Sequence, residues 1–224
     1  MSVSEDRTVQ PSPTTAAPAS GIADPAPLGL AAFALTTFLL SAKNADWMSH
    51  ATGSAWLGFA FAYGGLGQLL AGMWEFRNRN VFGATAFATY GGFWIGLGLW
   101  VQLVVNPAVA AARPATLAAT VSGLNHDLGW ILLAFAIFNT YMLILSAQVN
   151  LAVFAVFLTL ELTEIILCIG NFTAGAALLP TGTIKFGGYV GLVTALCAWY
   201  TSAALASRGM AGKLKFPVGS PLIS

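Results

Sequence analysis

Two carboxyl groups lie in the middle of a long apolar stretch, where a charge is costly. Glu161 and Glu164 occur within the run LTLELTEIIL. An ionised carboxylate at the centre of a bilayer costs several kcal/mol, so such a group normally faces a cavity or a partner. At three residues apart, the two side chains share a broad face of a helix. Two interpretations stand: a site that handles a proton or a polar solute, or structural carboxyls held by hydrogen bonds or by a neighbouring subunit.

Other polar side chains are scattered through the neighbouring apolar stretches. They are amides and hydroxyls: Thr36, Thr37, Asn44, Gln68, Asn139, Thr140 and Tyr141. Taken alone, each side chain is explained equally well as a hydrogen-bonding group between helices. Together they predict a polar path through a helix bundle. Glu75 ends one of these stretches beside Arg77 and Arg79 and is interpreted as a solvated charge or a partner in a loop ion pair.

Motifs typical of catalysis and metal binding do not occur in the sequence. It contains no phosphate-binding loop, no nucleophile elbow and no His-Glu-x-x-His zinc motif. His50 and His126 have no matching carboxylates or thiolates, and Cys168 and Cys197 belong to different depths of their stretches. The sequence therefore predicts no enzyme, no metal site and no cofactor.

Composition excludes a soluble domain. Of the 224 residues, 57% are hydrophobic and only 8% are charged, whereas soluble domains carry about 25% charged residues. A formal net charge of +1 offers no basic surface of the kind that binds nucleic acid. Because lipid provides no partner for backbone polar groups, the chain is predicted to be an all-α integral membrane protein.

Six apolar stretches are each close to the ~20 residues that cross a ~30 Å hydrocarbon core. They predict six transmembrane helices near residues 27–45, 53–74, 82–105, 128–147, 150–170 and 186–207. Residues 1–24 are rich in Ser, Thr, Pro and Ala and predict a disordered cytoplasmic tail. Residues 25–210 then form the transmembrane domain, and residues 211–224 form a short cytoplasmic C-terminal tail.

Basic residues predict the orientation, because cytoplasmic loops carry an excess of Lys and Arg. With both termini inside, six basic residues lie on the cytoplasmic side and three lie outside. The inner group is Arg7, Arg77, Arg79, Arg208, Lys213 and Lys215, and the outer group is Lys43, Arg113 and Lys185. Both termini are therefore predicted to be cytoplasmic.

Several motifs stand in a specific order along the chain. In sequence they are Asp24-Pro25-Ala26-Pro27-Leu28-Gly29-Leu30, Leu35-Thr36-Thr37-Phe38-Leu39-Leu40, Tyr63-Gly64-Gly65 with Gln68 and Glu75, the run 82–94 with Tyr90, and Ile169-Gly170-Asn171. Together they resemble the acetate uptake transporter family, also known as the acetate/succinate–proton symporter or Gpr/Fun/YaaH-type family. The resemblance covers about residues 24–219.

The resemblance implies a six-helix protomer in a bacterial plasma (inner) membrane, assembled as a hexamer with one solute path in each protomer. It also implies a hydrophobic constriction, which motif register assigns to Phe33 and Tyr90, and counting back from Gly170 assigns to Leu160. Family members move acetate and succinate, with small monocarboxylates in range. The expected partners are therefore small carboxylates, protons and the lipid bilayer.

Helical spacing adds detail to this constriction. Leu160 and Glu164 are four residues apart and share a face, so Glu164 should line the path ~6 Å from Leu160 by helical rise. Tyr90 is expected to offer its hydroxyl to a carboxylate. The Asp24–Gly29 segment is expected to form the cytoplasmic entrance, where the N-terminal end of the first helix favours anions. Asp24 stands where the family has Asn and adds a negative charge there.

Three alternatives to proton-coupled transport remain open at this point. A passive anion channel would use the same pore, but it would not move acetate uphill when supplied only with a proton gradient. A membrane sensor or scaffold without transport would tolerate substitutions in the pore. An intramembrane enzyme would need a nucleophile or metal set, which the sequence lacks.

Overall fold

The computed structural model describes residues 21–49 and 54–223, and these residues form helices and no strand. Six helices follow one another, two of them with an internal π-helical segment. They are α1 (Ala26–Asn44), α2 (Ala55–Phe61, π-helical Ala62–Gly67 and Gln68–Arg77), α3 (Val81–Trp100, π-helical Val101–Val105 and Asn106–Ala111), α4 (Pro114–Ser146), α5 (Leu151–Thr173) and α6 (Gly182–Gly209). Most of the predicted disordered tail, residues 1–20, lies outside the described residues.

Within the described residues, five helices are long and apolar enough to cross a membrane: α1, α3, α4, α5 and α6. The all-helical membrane fold predicted from composition is therefore confirmed. Six helices match the six predicted stretches, but α2 is not among the five. Its glycines, together with Gln68 and Glu75, dilute its apolar character.

The predicted start of α4 was wrong by more than three turns. Hydropathy predicted a helix from about residue 128, whereas α4 runs for 33 residues from Pro114. Proline suits the first helical position, because its missing N–H would have no partner there. The Thr116 hydroxyl oxygen accepts a hydrogen bond from the Arg113 N–H at 3.1 Å. Hydropathy detects only the apolar part of this helix, while these capping residues mark its start.

Polar side chains also begin three of the other helices. Asn80 Oδ1 accepts from the Gly83 N–H at 3.1 Å at the start of α3. Asn150 Oδ1 accepts from the Val153 N–H at 2.9 Å at the start of α5. Thr181 begins α6 in the same way. Each side chain satisfies an N–H group that the helix leaves open.

The bundle is organised around α5 and α6. α6 packs along both α1 and α5, α5 also packs on α4, and α2 pairs with α3. A buried cluster at the centre contains Phe33 from α1, Tyr90 from α3, Met142 from α4 and Leu160 from α5. Four helices therefore converge on the residues that the sequence assigned to a constriction.

Both ends of the described chain lie at the same end of the bundle. The Ser202 hydroxyl of α6 donates to the carbonyl of Pro27, near the start of α1, at 2.6 Å. The Ala152 N–H of α5 donates to the Val218 carbonyl at 2.9 Å, and the Tyr200 hydroxyl donates to the Pro217 carbonyl at 2.6 Å. The C-terminal segment thus packs against the helix ends that lie beside the start of α1.

The contact between α1 and α6 depends on a glycine. A Cβ atom at Gly188 would lie 2.8 Å from the backbone carbonyl carbon of Asn44 and 2.8 Å from the Ser41 carbonyl oxygen. Gly188→Ala is therefore expected to force the two helices apart and to lower the free energy of unfolding by about 1–3 kcal/mol. The measurement is the thermal unfolding midpoint in detergent.

Gly123→Ala on α4 is the matched control, because a Cβ there would have no atom within 4 Å. Alanine favours a helix over glycine by about 1 kcal/mol, so this control is expected to be neutral or stabilising. Equal midpoints for the two variants would contradict the close packing at Gly188.

Candidate functional site

Three cavities lie in a row through the bundle. The proximal cavity, at the end that carries the termini, has a volume of about 190 Å³ and is lined by Asp24, Gln68 and Glu75, among others. The middle cavity has a volume of about 50 Å³ and is lined by Thr37, Trp94 and Glu164, among others. The distal cavity, of about 290 Å³, contains Lys43, Asn44 and Asn171 in its wall.

A neck of three buried side chains separates the proximal and middle cavities. Phe33, Tyr90 and Leu160 line both of them. The Phe33 and Tyr90 rings meet edge to face, with centroids 5.7 Å apart. The structure therefore brings together the three residues that the resemblance assigned to a constriction. That this neck selects a solute stays a prediction.

The middle and distal cavities also share part of their walls. The shared residues are Leu40, Asn44, Phe93, Leu132 and Leu167. The three cavities therefore form one interrupted row, from the end that carries the termini to the opposite end of the bundle.

A hydrogen-bond network holds Tyr90 from behind the neck. The Tyr90 hydroxyl lies 2.9 Å from Asn139 Oδ1 and 3.3 Å from Glu164 Oε1. Asn139 Nδ2 donates to Glu161 Oε2 at 2.7 Å, and the Thr140 hydroxyl donates to Glu161 Oε1 at 2.8 Å. Both oxygens of Glu161 are thus engaged. Oε2 of Glu164 has no hydrogen-bond partner among the described residues.

This network divides the predicted polar-path residues into two groups. Asn139 and Glu161 are in the wall of none of the three cavities and act as supports for Tyr90. The geometry favours the structural interpretation for Glu161. Glu164 lines the middle cavity and retains the interpretation of a solute- or proton-linked group.

Two adjacent threonines on α1 have different surroundings. Thr37 lines the middle cavity. Thr36 is off the row of cavities, since its hydroxyl donates to the Ala32 carbonyl at 3.1 Å and its side chain packs on Gly64 of α2. One position along a helix turns the side chain by about 100°. Of the two threonines, only Thr37 fits the prediction of a residue that lines the path.

The predicted entrance motif mainly anchors α1. Asp24 and Ala26 line the proximal cavity, whereas Pro25, Pro27, Leu28 and Gly29 do not. The Ala26 N–H donates to Asp24 Oδ1 at 2.9 Å. The Asp24 carboxylate therefore already accepts a hydrogen bond from an N–H group at the start of α1. This N–H group was expected to attract a solute anion.

The interpretation of Glu75 as a solvated charge or an arginine partner was wrong. Its side chain is only 1% exposed, and Oε2 accepts from Asn80 Nδ2 at 3.0 Å. Arg79 has a positive φ of 61°, and this turn brings Asn80 back so that its N–H bonds the Glu75 carbonyl at 3.0 Å. Glu75 is therefore held in the wall of the proximal cavity.

The sequence analysis assigns no role to Trp94, which lies in the family-like run 82–94. It is buried in the wall of the middle cavity, and its Nε1 has no hydrogen-bond partner within the described part of the chain. Its position in the run Phe93-Trp94, four residues after Tyr90, was the signal available, because residues four apart share a helix face.

Five helices of membrane-spanning length and a row of cavities interrupted by the neck define a polytopic membrane protein. The chain belongs to the GPR1/FUN34/yaaH family, whose model matches residues 6–218. The family resemblance stated from the motifs is thereby confirmed.

Named relatives and a solved structure agree with this assignment. Acetate permease A of Emericella nidulans is 40% identical over 185 residues, which are 81% of this chain and 61% of that protein. The succinate-acetate/proton symporter SatP of Escherichia coli K12 is 31% identical over 198 residues, 88% of this chain and 96% of that protein. The structure of the bacterial acetate channel SatP is 29% identical, with a TM-score of 0.72, and the match covers 88% of this chain and 99% of that one. The chain thus spans about three fifths of the fungal permease.

Proposed function

We propose that this protein moves acetate and related small carboxylates, succinate among them, across the plasma (inner) membrane through the row of cavities in each protomer. The observation that carries the proposal is the neck of Phe33, Tyr90 and Leu160 between two cavities. The proposal is supported by relatives named as an acetate permease, a succinate-acetate/proton symporter and an acetate channel.

The neck selects by size in this proposal. The Tyr90 hydroxyl is engaged by Asn139 at 2.9 Å, so the apolar surface of its ring, rather than the hydroxyl, meets the solute. A small acid passes an apolar constriction most easily when its charge is neutralised or solvated on either side. Proton coupling is therefore the favoured mechanism, and a passive anion channel with the same pore is the alternative.

The two ends of the row carry opposite charges. Lys43 lines the distal cavity, with its ammonium 5.6 Å from the centre of the Trp56 ring. Asp24, an exposed acidic residue, lines the proximal cavity. A cation at a mouth raises the local concentration of anions, so the distal cavity is the proposed outer mouth. The termini are then cytoplasmic, as the distribution of basic residues also supports.

Assembly as a homo-oligomer, a hexamer by family resemblance, is part of the same proposal. Many large apolar side chains are exposed on the isolated protomer, among them Leu103, Ile137 and Ile144. Such a surface suits contact with lipid tails and with other membrane helices.

Labelled acetate uptake into proteoliposomes tests the proposed function, with an imposed pH gradient and the membrane voltage clamped near zero. Neutral acetic acid leaks through lipid, so empty liposomes are the first control. Leu160→Trp, which should fill the neck, is the second. We expect uptake by the wild-type protein above both controls.

Uptake that exceeds the leak and stops when the gradient is removed would support proton coupling. Protein-dependent flux that only equilibrates acetate, and that follows an imposed voltage, would favour the channel. No flux above empty liposomes would overturn transport and favour the sensor or scaffold.

A further inference from the structure

The segment that follows α6 is hydrogen-bonded to the ends of two other helices. Residues 213–223, the C-terminal strap, contain no helix or strand. The Leu222 N–H donates to the Ala147 carbonyl at 2.8 Å, and the Ala152 N–H donates to the Val218 carbonyl at 2.9 Å. The Val218 side chain is only 5% exposed. The strap therefore joins the end of α4 to the first turn of α5.

Lys215 fastens the strap to α6. Its ammonium donates to the carbonyls of Ser207 and Met210 at 2.6 and 2.5 Å, and the neighbouring Phe216 N–H donates to Ser207 Oγ at 3.2 Å. The last carbonyls of a helix have no partner within the helix, and a cation is favoured there by the helix dipole. Lys215 thus supplies the partner that the end of α6 needs.

A glycine turn brings the strap against α5. Gly219 has a φ of 72°, which residues with a Cβ atom rarely adopt. A Cβ at this position would lie 2.6 Å from the Cβ of Leu151, the first residue of α5. Any larger residue at position 219 would therefore push the strap away from α5.

The two anchor points of the strap bracket part of the proximal cavity wall. Ala147 and Ala152 flank the α4–α5 turn, whose Val149 and Asn150 line that cavity. Asn150 Oδ1 accepts from the N–H of Val153 at 2.9 Å, and Val153 lines the same cavity. A shift of this turn would therefore move three wall residues together.

We propose that the C-terminal strap positions the entrance of the proximal cavity, because it holds the α4–α5 turn in the cavity wall. None of its described residues lines any of the three cavities, so the strap acts through the turn and not by touching the solute. The inference rests on the proposed transport function. Because the strap lies at one end of the row, its release changes the handling of solute at the proximal side and not at the distal side.

The reactivity of a thiol introduced by Val218→Cys tests whether Lys215 holds the strap. Cys168→Ala and Cys197→Ala remove the native thiols, and a membrane-impermeant maleimide is the probe. Lys215→Met keeps the aliphatic stem and removes the ammonium. We expect the thiol to react roughly tenfold faster or more with Lys215→Met, since the rate follows the population of the open form.

Lys213→Met is the matched control, at an exposed lysine two residues earlier in the strap. It is expected to leave the reaction rate unchanged. Equal rates with Lys215→Met and Lys213→Met would show that the strap does not depend on Lys215 and would overturn the proposal.

Gly219→Ala tests the effect on transport, with Gly212→Ala as its control, because a Cβ at Gly212 would have no atom within 4 Å. The measurement is the KM for labelled acetate from each side of the membrane, in vesicles of both orientations at equal pH. Flux in vesicles that lack the protein is subtracted. A binding-competent arrangement that is populated about one fifth of the time weakens apparent affinity about fivefold. We therefore expect the ratio of proximal to distal KM to rise about fivefold or more in Gly219→Ala and to stay at the wild-type value in Gly212→Ala.

Partial unfolding alone would lower the maximal rate from both sides and leave the ratio of KM values unchanged. An unchanged ratio in Gly219→Ala would overturn the positioning role, and the wild type would still transport acetate, so that only this inference fails. A wild-type protein that moves no acetate from either side would overturn the proposed function and this inference with it.

Discussion

Leu160→Ala is expected to widen the neck and to admit bulkier acids such as lactate or a four-carbon dicarboxylate. Leu160 is the aliphatic member of the neck, and the aromatic members are held in place: Tyr90 packs against Phe33, Phe93 and Phe138. These rings cannot easily move into the space that the leucine leaves. One methylene in an apolar pocket discriminates by about 1–3 kcal/mol, so the ratio of lactate to acetate uptake should rise about tenfold or more.

Leu162→Ala makes the same chemical change two residues away, at an exposed position of α5. It is expected to leave the selectivity unchanged. The measurement is competition by unlabelled lactate and succinate against labelled acetate in proteoliposomes, at matched protein content. If Leu160→Ala transports acetate with the wild-type selectivity, the neck does not select and the assignment of Leu160 is wrong.

Hydropathy was sufficient to predict the bounds of several helices closely. The stretch 27–45 became α1 (Ala26–Asn44), and the stretch 150–170 became α5 (Leu151–Thr173). It was insufficient at α4, because polar residues such as Asp127 stand between the helix start at Pro114 and the predicted apolar stretch. Only local signals, in this case Pro114 and Thr116, mark such an end.

The sequence predicted those residues of the candidate site that lie within the family-like motifs. Periodicity alone could not assign Thr37 rather than Thr36 to the cavity, because in a membrane bundle both the lipid-facing and the core-facing sides of α1 are apolar. The partner of Glu75 depends on the turn at Arg79, whose positive φ of 61° returns Asn80 to the carboxylate. Nothing in the spacing of charges around Glu75 predicted this, and Arg77 was the closer candidate in sequence.

Asn139→Leu is the other substitution with a large expected effect, because Asn139 links the neck to its support. Asn139 is fully buried. It lies 2.9 Å from the Tyr90 hydroxyl and donates to Glu161 Oε2 at 2.7 Å. A leucine of similar shape would leave a buried carboxyl oxygen of Glu161 unpaired, which costs about 1–3 kcal/mol. We expect a large drop in the thermal unfolding midpoint in detergent and loss of acetate uptake.

Thr140→Val is the matched control, because it removes the other side-chain donor to Glu161 and leaves Asn139 in place. Its expected cost is only about 1 kcal/mol, because Thr140 is exposed and its bond to Glu161 is only partly buried, whereas the Asn139 bond is buried. If both variants lose the same stability, the network does not depend on Asn139.

The double variant Asn139→Leu with Glu161→Leu separates stability from function. Replacing both partners of a buried hydrogen bond by apolar groups is often nearly neutral, so the double variant should regain most of the stability that Asn139→Leu loses. Tyr90, however, would still lack its 2.9 Å partner and would turn toward Glu164. We therefore expect a well-folded protein with acetate uptake still well below wild type. Restored uptake in the double variant would mean that the neck does not require Tyr90 to be held, and that the network serves only the packing of α4 on α5.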